Sequence, residues 1–176
     1  MIRLFLAITP PLRVRKAIFQ EISRLKKQIP NWQVNWIKTE KLHLTLLFLG
    51  WVNERQEKTI QKETAKALRS AKKFKVSLGN LSYQSHPIWL EVSQGKEELT
   101  DLQKKIIQEL SFKEHEEFRP FHPHLTLGRV KKKGKDKPHN FKKEFVWEAE
   151  EVILYQSKPQ RAGSVYQELA AFHLKG

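Results

Sequence analysis

The 176 residues predict an α+β domain whose strands pair mostly antiparallel. Two observations carry that expectation. Three stretches repeat apolar residues at the helical period, and shorter stretches are apolar runs or alternate with a period of two. These stretches interleave irregularly, unlike a regular strand–helix–strand series. No Gly/Ser-rich linker divides the chain, so residues 1–176 are expected to form one domain.

Residues 2–8 are apolar and read as a buried strand. Thr9 and Pro10 read as a helix start, with Thr9 as N-cap and proline in the first turn. Val14, Ile18, Ile22 and Leu25 then form one apolar stripe to about residue 28, and Pro30 ends it. Val34 to Ile37 is a short strand, and Leu42 to Leu49 a longer one closed by Gly50. Asn53 opens a second helix to about Lys72, with Ile60, Thr64, Ala67 and Leu68 inward. Phe74 to Leu78 alternates as a half-buried strand does, and Pro87 to Val92 is another strand. A third helix spans about Lys96 to Leu110, with Leu99, Leu102, Ile106 and Leu110 facing in. Pro123 to Val130, Phe145 to Leu154 and Tyr166 to Leu174 complete the strands. The Lys-rich residues 131–143 read as an exposed loop.

The formal net charge is +14, with 39% hydrophobic residues, 10 Phe and 5 Trp. That much apolar material excludes a wholly disordered basic chain. The charge points to a polyanionic partner or to a solvated lysine surface, and by itself does not choose between them. No cysteine is present, which excludes disulfides, thiolate nucleophiles and Cys-ligated zinc, and a cytoplasmic setting is expected. No segment approaches the roughly 20 apolar residues of a membrane helix. No leader peptide is expected, because the apolar N-terminal run is short and meets Pro10-Pro11 at once.

One tetrapeptide occurs twice, as His43-Leu44-Thr45-Leu46 and His124-Leu125-Thr126-Leu127. Ordinary residue frequencies produce such a pair among seven histidines at about the 0.2% level, so coincidence is set aside. Residues two apart on a strand share a face. Each His therefore sits beside its Thr, while the leucines face the core. A lone copy would read as an ordinary strand face. Two copies brought together would put two imidazoles and two hydroxyls in one groove. Histidines can divide the giving and taking of a proton near neutral pH. Threonine hydroxyls can hold the non-bridging oxygens of a phosphate. No carboxylate cluster adjoins the motifs, so no metal and no cofactor is expected. Metal-free acid–base cleavage of a phosphodiester fits this set.

Paired His-x-Thr-x motifs resemble those of the 2H phosphoesterases. The residues around them resemble the LigT-type branch, the RNA 2′,3′-cyclic phosphodiesterases also called 2′-5′ RNA ligases. The likeness runs from Arg3-Leu4-Phe5-Leu6-Ala7-Ile8 through Leu42–Gly50 and Arg119–Arg129 to Leu154-Tyr155-Gln156-Ser157 and Gly163-Ser164-Val165-Tyr166. It implies two pseudo-symmetric lobes with antiparallel sheets around a central groove, one motif in each. It implies RNA 2′,3′-cyclic ends, or cyclic nucleotides, as substrate, hydrolysed to 2′-phosphates. His43 would be the proton donor and His124 the acceptor; Thr45 and Thr126 would hold the phosphate. The residues alone are symmetric and do not assign these roles. A non-catalytic RNA-binding module and a 2′-5′ RNA ligase remain as alternatives. A monomer without an obligate protein partner is expected.

Arg129 is a candidate phosphate clamp, although its odd offset from His124 puts it on the opposite face unless the strand bulges. Phe48 has the same odd offset from His43. It is a candidate for stacking on a base, with core packing the ordinary reading. His122 shares the face of His124 without an evident third metal ligand. His86, His115, His139 and His173 read as incidental. Tyr155, Ser157 and Tyr166 read as lobe packing with hydroxyls at the rim.

Overall fold

A computed structural model describes residues 1–84, 86–110, 120–160 and 163–176, so His115 and Arg119 lie outside the described residues. The strands are β1 (Ile2–Ile8), β2 (Gln33–Trp36), β3 (Leu44–Val52), β4 (Phe74–Ser82), β5 (Pro87–Gln94), β6 (His124–Lys132), β7 (Phe145–Ala149), β8 (Glu151–Lys158) and β9 (Val165–His173). The helices are α1 (Leu12–Gln28), α2 (Glu54–Leu68) and α3 (Lys96–Leu110). All nine strands join one sheet in the order β7-β4-β5-β6-β3-β1-β8-β9, with β2 paired to β6. Every strand pairing in it is antiparallel.

The two motif strands meet at the centre of this order. β3 and β6 touch through the single pair Leu44–Leu125, with β7, β4, β5, β6 and the added β2 on one side of that seam and β3, β1, β8 and β9 on the other. The two groups of strands are joined edge to edge there into one sheet. Beyond the seam β6 is free of β3, and Gly128 to Lys132 pair with β2 instead.

The helical stripes are buried as their periodicity requires. Val14, Ile18, Ile22 and Leu25 of α1, Ile60 and Leu68 of α2, and Leu99, Leu102, Ile106 and Leu110 of α3 join Leu44, Leu46, Leu125 and Leu127 in one core. Asn53 caps α2 in a capping box: its side chain accepts from Gln56 N at 2.9 Å, and Gln56 Oε1 accepts from Asn53 N at 2.8 Å.

Four expectations are corrected. Pro11, not Thr9, is the N-cap of α1; the Thr9 hydroxyl is 2.9 Å from the Tyr155 hydroxyl and ties β1 to β8. Helix α2 stops at Leu68 because Ala71 and Lys73 bond the backbone of Lys175, which draws this segment away from the helix axis. Residues 145–154 are two strands. The chain leaves β7, which lies beside β4, after Ala149 and enters the other half of the sheet as β8 between β1 and β9, a long-range choice that local strand character does not display.

The Lys-rich segment is a strand end followed by an anchored loop. Asp136 accepts bonds from Asn31 N and Trp32 Nε1, Lys133 donates to Gln84 O and lies over the Trp32 ring, and Asn140 accepts from Leu81 N. Pro138 is buried.

Candidate active site

The site begins with the two central strands. His43 immediately precedes β3 and His124 opens β6. Each imidazole is anchored in the same way: Nδ1–H donates to the carbonyl two residues back, Lys41 at 2.7 Å and His122 at 2.8 Å. A carbonyl only accepts, so Nδ1 carries a proton in each ring and Nε2 is the atom left to exchange one. The Nε2 of His43 lies 3.0 Å from the Thr45 hydroxyl.

Both motifs line one groove of about 900 Å³ together with Phe48 and Arg129. All six sequence-predicted residues are therefore brought together. For Phe48 and Arg129 the reason is a pair of matching bulges. Between Thr45 and Leu47, β3 has an unpaired residue, Leu46, against β1; between Thr126 and Gly128, β6 has one, Leu127, against β5. Each extra residue shifts the alternation by one. Phe48 turns to the groove instead of packing in the core and is 63% exposed, which overturns its ordinary reading as a core residue. Arg129 likewise comes to the face of His124 and is exposed.

A second bulge follows in β3, where Leu4 pairs with Gly50 and Phe5 with Phe48, leaving Leu49 unpaired. Gly50 has φ +73°, a left-handed conformation that glycine adopts without a Cβ clash. Gly50 thus bends the strand rather than closing it, and β3 continues to Val52.

An aromatic ring supports each histidine. Phe5 on β1 is 5.1 Å from His43, and Trp89 on β5 is 5.4 Å from His124. Tyr166 packs edge-on against Phe5 at 5.0 Å, as its packing reading expects, and it also meets His43 edge-on at 5.4 Å and lines the groove. Tyr155 stacks on Phe5 beneath, at 5.3 Å. Burial pushes the His43 imidazole below its ordinary pKa; the Lys41 carbonyl bond opposes this, and the nearby His124 adds to it. Burial pushes the Tyr166 phenol up, against the pull of Arg129 and Arg3.

Sequence reasoning missed the remaining walls. Asn35, Trp36, Lys38 and Lys41 line one side, and Arg3 and Ser164 the other. Nothing local marks Asn35 and Trp36; they reach the groove because β2 adds to β6. Among the described residues no cluster of three or more His, Cys, Asp or Glu side chains could hold a metal ion. The His122 and His124 rings lie 6.3 Å apart without a third ligand beside them. Among the described residues, no helix is long and apolar enough to cross a membrane.

Comparison with known proteins agrees with this geometry. The family model of the 2′-5′ RNA ligase superfamily matches residues 10–158. The chain belongs to that superfamily. A superfamily relative from Methanocaldococcus jannaschii, named RNA 2′,3′-cyclic phosphodiesterase, is 31% identical over 94% of this chain and 96% of its own. A protein of the same name from Methanothermobacter thermautotrophicus is 28% identical over 98% of this chain and 99% of its own. Among solved structures, Escherichia coli LigT complexed with 3′-AMP is 27% identical, with a TM-score of 0.85 over 99% of both chains. The α+β fold with its paired motif strands is the LigT-like fold.

Proposed function

We propose that this chain hydrolyses RNA 2′,3′-cyclic phosphodiester ends to 2′-phosphomonoesters, without a metal, by two-histidine acid–base catalysis. The observation that carries the reading is the pair of His-x-Thr motifs on adjoining strands, each imidazole held by Nδ1 so that both Nε2 atoms are available in one groove. The curated relatives, each named RNA 2′,3′-cyclic phosphodiesterase, support the same enzyme class for this chain.

In the proposed reaction the phosphate lies between Thr45 and Thr126, whose hydroxyls bind its non-bridging oxygens, with Arg129 balancing its charge. His124 Nε2 takes a proton from water as the water oxygen attacks phosphorus. The bond from phosphorus to the 3′-oxygen breaks, and His43 Nε2–H gives that oxygen its proton. The products are a 2′-phosphate and a free 3′-hydroxyl. Burial favours neutral His43 in the free protein, whereas a donor must start protonated. A bound phosphodiester anion supplies the missing stabilisation, because an adjacent negative charge favours imidazolium.

The test is incubation with a 2′,3′-cyclic nucleotide and with a cyclic-ended RNA in EDTA, followed by assignment of the product. A 2′-phosphate formed at an undiminished rate is expected. No turnover, loss of activity on chelation, or a 3′-phosphate product would overturn the proposal.

A further inference from the structure

The groove-facing residues of β3 do not end at Phe48. The two bulges make the spacing along that face three residues rather than two, so it runs Thr45, Phe48, Trp51. Trp51 pairs directly with Arg3, and Arg3 pairs with Ser157, which pairs with Tyr166. Directly opposed residues share a sheet face. Arg3, Ser157 and Tyr166 all line the groove, so Trp51 stands on the groove side and extends its wall beyond Phe48.

Trp51 is 56% exposed, as unusual for a large aromatic as the 63% of Phe48. Arg3 is also exposed and forms no ion pair with any described residue. Two open aromatic rings on one strand, with an uncompensated guanidinium beside the outer one, form a small stacking platform with a phosphate contact. That combination binds single-stranded nucleic acid with little regard to sequence. Their partners on β1, Phe5 and Arg3, are two residues apart, about 7 Å along a strand, a spacing suited to successive bases of an extended chain.

We propose that Trp51 and Arg3 form a second nucleotide subsite, for the residue immediately 5′ of the one bearing the cyclic phosphate. The base of that nucleotide stacks on Trp51, and the phosphate linking it to the terminal nucleotide meets Arg3. The inference rests on the proposed function for its polarity, since the cyclic phosphate is the 3′ end and only a 5′ neighbour exists. It makes the substrate an oligonucleotide end rather than a lone cyclic nucleotide.

The experiment compares a 2′,3′-cyclic mononucleotide with a dinucleotide carrying the same cyclic end. Trp51→Ala is expected to raise KM for the dinucleotide by about 5- to 150-fold, the usual effect of losing one stacked base, with a far smaller change for the mononucleotide. Trp51→Phe should restore most of the loss. Arg3→Gln should lessen the salt dependence of dinucleotide binding by about 0.7 in the log–log slope. Equal effects of Trp51→Ala on both substrates, or no effect on the dinucleotide, would overturn the proposal. Direct binding of a dinucleotide ending in a 2′-phosphate, followed by anisotropy, separates the two levels. Wild-type turnover of neither cyclic substrate rejects the proposed reaction. Equal affinity of wild type and Trp51→Ala for the dinucleotide rejects the subsite.

Discussion

Gly128 offers a direct test of how β2 builds one wall of the groove. A Cβ added there would lie 2.6 Å from Val34 Cγ1, 3.1 Å from Trp36 Cε3 and 3.4 Å from the Asn35 carbonyl oxygen. Gly128 has no left-handed φ, so the obstacle to alanine is space alone. The blocking methyl belongs to a β-branched side chain with little rotamer freedom, so it moves only with the β2 backbone. Overpacking of this kind costs about 1–3 kcal/mol. For a chain of this length each kcal/mol shifts Tm by about 2–4 °C, so Gly128→Ala should melt about 2–12 °C lower. Val34→Ala deletes the blocking methyl. In a double-mutant cycle by urea denaturation, Gly128→Ala and Val34→Ala should couple favourably by about 0.5 kcal/mol or more. The single variant should also raise KM, because Asn35 and Trp36 shift with β2. A Gly128→Ala cost under about 0.5 kcal/mol, or strict additivity with Val34→Ala, would refute the account of β2 as a strand seated in the space above Gly128.

Four further expectations follow from the site and the fold. His43→Ala and His124→Ala should each lower kcat by about 10²–10⁴-fold, the usual share of general acid–base catalysis, with thermal melting confirming that each variant remains folded. Because His43 has a lowered pKa in the free protein and a bound anion raises it, the alkaline limb of kcat should lie at higher pH than that of kcat/KM; coincident limbs in the two profiles would contradict this. The same lowering makes His43 a source of acid sensitivity. The unfolded chain binds a proton there before the folded one does, so its contribution is full above about pH 6.5 and is lost as pH falls below that, a loss that His43→Gln should reduce in pH-dependent urea melts. Asn53→Ala removes the side-chain half of the α2 capping box and should cost about 1 kcal/mol in urea melts, with kcat/KM unchanged.

Much of the molecule was legible because its signals are local. Helix stripes such as Val14, Ile18, Ile22 and Leu25 recur within one turn of each other, and burial follows the period. The duplicated His-x-Thr needs only two-residue alternation to place imidazole and hydroxyl on one face. Where competition between distant partners decided the outcome, the local reading failed. Thr9 offered a plausible cap but its hydroxyl went to Tyr155, 146 residues away. Residues 145–154 read as one long strand, which the sheet divided between β7 in one half and β8 in the other.

The sequence by itself determined the helices, the core leucines and the identity of the four residues expected to do the chemistry, since each of these depends on near neighbours along the chain. Only the tertiary structure decided that Phe48 and Arg129 join them, that Trp51 extends the same wall, and that β2 encloses the other side. A bulge exists only relative to a partner strand. It depends on how β1 meets β3 and how β5 meets β6, and that register is set by packing across the whole sheet.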